Sequence, residues 1–267
     1  MGVFMKILGS LVGVLRLVFL FLHVLLGVFY GLVLFRLVSW DTRTRMIRSW
    51  SRGLLRVIGV KLVLEYPPHH TPMRGMLVGN HSSWMDIFVA NSVQAARFLA
   101  KSDIQNWPIL GVLVHGAGTL FVQRGNRHSI SHTNHEITQA ALNGELVGLY
   151  PEGTTTDGTY MIPFRSNLLQ PAVEAGLTIY PIAIAYRKNG AYTPLAAYAG
   201  DTSLLRSLWD LTCSFGVCAC VRFAEPINGA NFATRQELAS ATQAAIGRIL
   251  GLEVVQPEVQ AQVLTGV

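Results

Sequence analysis

Residues 17–35, LVFLFLHVLLGVFYGLVLF, run for nineteen positions without Lys, Arg, Asp or Glu. A helix of that length, rising about 1.5 Å per residue, just crosses the roughly 30 Å hydrocarbon layer of a bilayer. Residues 7–15 are apolar as well. The same stretch therefore also reads as two helices dipping into one leaflet around Arg16. Gly9/Gly13 and Gly27/Gly31 have the spacing that lets helices approach closely. In residues 42–58, TRTRMIRSWSRGLLRVI, the apolar Met46, Ile47, Trp50, Leu54 and Ile58 recur at helical spacing and arginines fill much of the rest. That is an amphipathic helix, lying at headgroup level, packed on the domain behind it, or both.

The period then changes. Short apolar runs appear at KLVLEY, MLVGN, RFLAK, TLFVQR, LVGLYP, TIYPIAIAY and CACVRFAEP, with helix-length stretches between them such as HTNHEITQAALN and NLLQPAVEAG. TRQELASATQAAIGRIL reads as a closing amphipathic helix. Alternation of this kind predicts a mixed, mostly parallel α/β sheet covered by helices. The chain divides into residues 1–58, a membrane-anchoring segment with its basic helix, and residues 59–267, a single catalytic-size domain.

Composition agrees with one anchor on one domain. Hydrophobic residues make up 51% of the 267 and charged residues 13%, where soluble domains carry roughly a quarter charged. Mean hydropathy is +0.38, too low for a chain that crosses a membrane many times. The net charge of +6 is lopsided, because residues 1–61 hold nine Lys/Arg against Asp41 alone. A basic excess confined to the apolar end fits an anionic membrane surface and places the domain on the cytoplasmic side of the inner membrane. Nucleic acid as a partner is excluded by the lack of a basic stripe or motif across the domain. No small-x-small cleavage site follows the apolar run, which argues against a removed leader. Cys213, Cys218 and Cys220 match no zinc spacing and read as small apolar residues of a buried strand in a reducing compartment.

Three polar clusters follow apolar runs, the position where open α/β sheets gather ligands. In NHSSWMD (80–86), His81 is a base for an alcohol proton if a partner fixes its tautomer. Asp86 is either that partner or the third residue of a capping box begun by Ser83. FVQRGNR (121–127) puts Arg124 and Arg127 around a glycine, either as forks for phosphate or carboxylate or as solvated loop residues. YPEGTTTDG (150–158) offers Glu152, to accept from a ligand's hydroxyls or to organise the loop, and Gly153, to admit close backbone approach. Neither G-x-S-x-G nor H-E-x-x-H occurs, so acyl-serine and helix-borne zinc chemistry lack visible machinery.

Taken in order, these clusters resemble a known family. NHSSWMD is similar to the first motif, N-H-x-x-x-x-D, of the glycerolipid acyltransferases that act on lysophosphatidic acid and related acceptors. FVQRGNR resembles their second motif, YPEGT their third and YPIAIAY (180–186) their fourth, over roughly residues 45–230. The resemblance implies a glycerol-3-phosphate acyltransferase-like fold, with His81 as general base and Asp86 as its orienting partner. It further implies Arg124 on the acceptor's phosphate, Glu152, Gly153 and Thr154 shaping the acceptor site, and Pro181 bordering the acyl-donor side. Lys101, at the end of RFLAK, and Arg127 are further cations for the phosphate. Acyl-CoA or acyl carrier protein would be the donor, membrane lipids the partners, with no metal and no cofactor. One departure stands out: the third motif commonly reads E-G-T-R, and Thr155 occupies the arginine's place. Lysophosphatidic acid is the first expected acceptor, and lyso-ornithine lipid, whose headgroup lacks phosphate, is the alternative.

Overall fold

The structure, a computed structural model, describes residues 2–68, 72–123 and 127–256, the side chains of residues 2, 3, 127 and 128 excepted. In chain order the helices and strands are α1 (Gly2–Leu32), α2 (Trp40–Ile58), β1 (Val60–Tyr66), β2 (Gly75–Gly79), α3 (Asp86–Val93), β3 (Arg97–Lys101), α4 (Leu110–Gly116), β4 (Leu120–Val122), α5 (Arg127–Leu142), β5 (Leu146–Leu149), α6 (Gln170–Glu174), β6 (Thr178–Lys188), β7 (Ala191–Tyr192), α7 (Leu204–Thr212), β8 (Val217–Phe223), β9 (Ile227–Asn228) and α8 (Arg235–Leu250). The sheet runs β1-β8-β6-β2-β5-β3-β4, with β7 and β9 also on β6. All neighbours in that row are parallel except β6 and β8. The mixed, mostly parallel sheet read from the alternation is what the chain forms. β2 is buried at all five positions, as a central strand covered on both faces must be. One apolar core lies under α1, α2, α3 and α7, the other under α5, α6 and α8.

Local chemistry sets the ends of these elements. Ser39 caps α2 by accepting from Thr42 N, and Gly59 ends it at φ 89. Thr234 caps α8 and Gly251 ends it, the asymmetry of polar N-caps and glycine C-caps. The helix expected over 167–176 is shorter, a 3-10 turn at Ser166–Leu169 followed by α6 with Pro171 in its first turn. Proline has no N–H to continue a helix from behind. α5 begins at Arg127, ahead of the stretch expected from residue 132. Cys213 is not in a strand; it caps α7, while Cys218 and Cys220 lie in β8.

α1 is one unbroken helix of 31 residues, so of the two readings of this stretch the pair of helices around Arg16 does not form. Arg16 needs no break because its guanidinium reaches the carbonyls of Thr212 (2.8 Å) and Ser214 (2.6 Å) at the end of α7. The two glycine pairs receive parts of the same chain. A Cβ on Gly13 would stand 2.5 Å from Cys213 Sγ, and one on Gly27 2.9 Å from Leu113. Between them His23 and Trp50 stack and exchange hydrogen bonds with each other's backbone at 2.9 Å. The opposite face, including Leu11, Leu15, Phe19, Leu22 and Phe29, is exposed. By length and composition α1 could cross a membrane.

Candidate active site

The parallel strands bring the ends of β2, β4 and β5 to one edge of the sheet, and the three polar clusters follow those ends. The chain leaves β2 through Asn80, whose amide pairs with both backbone groups of Ile184 on β6 at 2.9 Å. That bond fixes the direction in which His81 departs. His81 O accepts from Thr156 N at 2.9 Å, and Ser82 O from Tyr198 N at 2.9 Å. Clusters one and three are thus tied backbone to backbone.

His81 Nδ1 lies 2.8 Å from Asp86 Oδ2. The same oxygen accepts from Ser82 N (2.8 Å) and Ser83 N (2.9 Å), and Oδ1 accepts from Tyr186 OH at 2.7 Å. Asp86 is fully buried, and four donors satisfy it there. The capping box does not form as expected: α3 begins at Asp86 with Met85 in the cap position and no side-chain cap, while the Ser83 hydroxyl accepts from Met85 N and Asp86 reaches back to Ser83 N. The carboxylate that orients the histidine thus also ties down the turn before α3. Proton occupancy of Nδ1 leaves Nε2 with a lone pair, the tautomer a base requires. The imidazole stacks on Tyr150 (4.5 Å, 9°), and Tyr150 on Phe98 (5.5 Å, 13°). Burial, and then the Asp86 charge, push the Tyr150 and Tyr186 hydroxyls up, so both stay protonated.

Glu152 is 1% exposed, with Oε1 on His81 N at 2.8 Å and Oε2 on Ile162 N at 3.2 Å. Both oxygens are thus taken up by backbone N–H groups, and it organises the loop, one of the two roles open to it in the sequence. Burial raises its pKa to about 7, against the pull of these two bonds. Gly153, at φ 73, lies under the Arg165 guanidinium, 3.3 Å from where a Cβ would stand. Arg165 is an exposed cation that sequence reasoning missed, since it lies outside every motif. Thr154 is exposed, and Thr155 donates to Tyr198 O. Lys101 is exposed at the end of β3 in register with Val122 of β4, beside the start of the second cluster. Arg124 and the Arg127 side chain lie outside the described residues. Pro181 is buried within the sheet opposite Val78. It falls where β6 exchanges β9 for β8 as antiparallel partner, a gap that tolerates a missing N–H. No group of three His, Cys, Asp or Glu placed to hold a metal occurs among the described residues.

Two cavities flank the site. An apolar one of about 450 Å³ between α1, α2, α3 and α4 includes Trp84, Phe88, Phe98 and Tyr198 in its wall. A smaller one of about 320 Å³ is lined in part by Ser82, Asp157, Thr159, Arg187 and Tyr192. Both volumes are those of small-molecule sites. The segment bearing Ala197 and Tyr198 separates them, one residue facing each.

Fold and site define an α/β enzyme built around a histidine–aspartate pair. The acyltransferase family profile matches residues 65–185. A 1-acyl-sn-glycerol-3-phosphate acyltransferase of Neisseria meningitidis serogroup B is 32% identical over 172 residues, 64% of this chain and 67% of that protein. A lyso-ornithine lipid O-acyltransferase of Pseudomonas aeruginosa is 32% identical over 204 residues, 76% and 78% of the two. The crystal structure of the lysophosphatidic acid acyltransferase PlsC from Thermotoga maritima has the same fold, with a TM-score of 0.63 at 19% identity over 88% of this chain and 96% of that one. The chain belongs to the acyltransferase family.

Proposed function

We propose that this protein transfers a fatty acyl group from acyl-CoA or acyl carrier protein to the free sn-2 hydroxyl of 1-acyl-sn-glycerol-3-phosphate, making phosphatidic acid. The observation that carries the reading is the 2.8 Å contact between His81 Nδ1 and the buried Asp86 carboxylate. His81 Nε2 takes the hydroxyl proton as that oxygen attacks the thioester carbon, and Asp86 stabilises the imidazolium. The tetrahedral intermediate collapses, the C–S bond breaks, and His81 returns the proton to the leaving thiolate. Ser82 and Ser83 N–H serve Asp86, so the oxyanion's donors lie elsewhere. The apolar cavity, sharing Phe98 with the stack that supports His81, takes an acyl chain. Lys101, Arg165 and the arginines of the second cluster meet the acceptor's phosphate.

α1 packs on α2, α4 and α7 along its length with its outer face apolar. That supports a helix embedded in one leaflet, and the basic excess of residues 1–61 supports a domain on the cytoplasmic side of the inner membrane. A second acceptor, lyso-ornithine lipid, is favoured by one observation. Thr155 ties down the Tyr198 segment, and the smaller cavity behind it holds one carboxylate and one guanidinium, a balance suited to a zwitterionic headgroup.

The test is acyl transfer by the purified protein to each lysolipid. His81→Ala should lose roughly a hundred- to ten-thousand-fold in rate while remaining folded and vesicle-bound. Near wild-type transfer by that variant would remove the base assignment. Faster transfer to lyso-ornithine lipid would replace the acceptor.

A further inference from the structure

The segment that joins β3 to α4 carries Trp107, Pro108 and Ile109, with Trp107 52% and Ile109 47% exposed. Ile109 has φ 67 and ψ −59, and Leu110 N donates to Pro108 O across it at 2.7 Å. This is a γ-turn of the positive-φ kind, rare and strained, and a β-branched residue is ill suited to it. Ile109 belongs to no apolar cluster of the described core, so packing inside the protein does not compensate the strain. Trp107 and Leu110 nevertheless line the apolar cavity whose wall also includes Phe98 and Trp84. The turn is at once an outer surface and part of the cavity wall. The helix that follows it, α4, packs on the glycine face of α1, with Val112 against Gly31 and Leu113 against Gly27, so the turn leads into an element docked on the apolar helix.

We propose that the Trp107–Pro108–Ile109 turn dips into the hydrocarbon of the leaflet that holds α1. There it forms the mouth through which an acyl chain moves between bilayer and cavity. The strained turn holds the isoleucine outward, where lipid and not water covers it, and tryptophan suits the boundary between the two. The proposal rests on reading the cavity as the acyl-chain site.

Two measurements test it. In vesicles of brominated-chain phospholipid, bromine should quench wild-type tryptophan emission more than that of Trp107→Phe. Equal quenching would overturn the insertion. Ile109→Gly removes the side chain but suits the positive φ, so its Tm should hold or rise. Its KM for a long-chain lysolipid in vesicles should rise roughly tenfold, the effect of one unburied isoleucine, with kcat/KM for a water-dispersed hexanoyl lysolipid unchanged. An unchanged KM in vesicles, or an equal loss on both acceptors, would overturn the mouth. So would a dimer in detergent that Trp107→Phe disrupts, because a second copy would then cover the turn. Were the acyltransferase reading wrong, the wild type would show no transfer to any lysolipid, and the quenching result would still decide insertion.

Discussion

Asp86 carries two loads that a single substitution separates poorly. Asp86→Asn keeps one oxygen for the three donors on Oδ2, but it loses the charge that stabilises an imidazolium and weakens bonds to Ser82 and Ser83 N–H. Its rate and its Tm should fall together, stability by about 2 kcal/mol. Tyr186→Phe removes only the bond to Oδ1, so its kcat should fall less than that of Asp86→Asn under the same assay. Glu152 gives a pH signature. Its folded pKa of about 7 exceeds the ordinary 4.5, so between those values the folded protein holds a proton that the unfolded chain releases. Stability from this group is highest below about 4.5 and falls as pH rises toward about 7, by roughly 3 kcal/mol in all. Thermal melts of wild type and Glu152→Gln should therefore show a Tm difference in favour of wild type that shrinks from pH 5 to pH 7.5. A constant difference would mean that Glu152 does not titrate in this range. The identities of His81, Asp86 and Glu152 were legible in the sequence, because motif order and strand ends are local facts. The role of Glu152 was not, since its partner His81 lies 71 residues away and a carboxylate after a strand looks the same facing a ligand or a backbone.

At the scale of elements, the N-terminal helix was legible as apolar and illegible as docked. Nothing in residues 1–35 shows that Gly13 receives Cys213 or that Arg16 is met by α7, because both partners lie some two hundred positions on. Read alone, Arg16 breaks an apolar run; in the fold it ends the orphan carbonyls of another helix. Arg16→Met, which keeps the helix apolar, should leave Thr212 O and Ser214 O without this donor. It should lower stability by about 1–3 kcal/mol and speed amide exchange in α7 with vesicle binding retained. Exchange at the wild-type rate would show that α1 is held by its glycines and the His23–Trp50 contact alone. α4 and the turn before it were likewise hidden, since LGVLVHG is short and has no polar face.

For the whole molecule, charge and hydrophobicity sit on two helices packed against each other, α2 and α1. Arg45, Arg48 and Arg56 are exposed on α2, and the half-buried Arg52 among them has its pKa lowered first by desolvation and then by Arg48 and Arg56. Like charges crowded in this way are relieved by anionic lipid. Replacing Arg45, Arg48 and Arg56 together by Gln should weaken partition to anionic vesicles by about 3 kcal/mol, near 1 per arginine, and leave binding to neutral vesicles unchanged. Loss of binding to both would instead mean that α1 had come away. The bond from Arg16 to Thr212, spanning 196 residues, also bears on how the chain is made. Synthesis at about 5–20 residues per second leaves α1 without α7 for roughly 10–40 seconds. During that interval the newborn helix meets the bilayer with its guanidinium uncovered, and the domain closes only after nearly the whole chain has emerged. Its first element is therefore among the last to reach its final place.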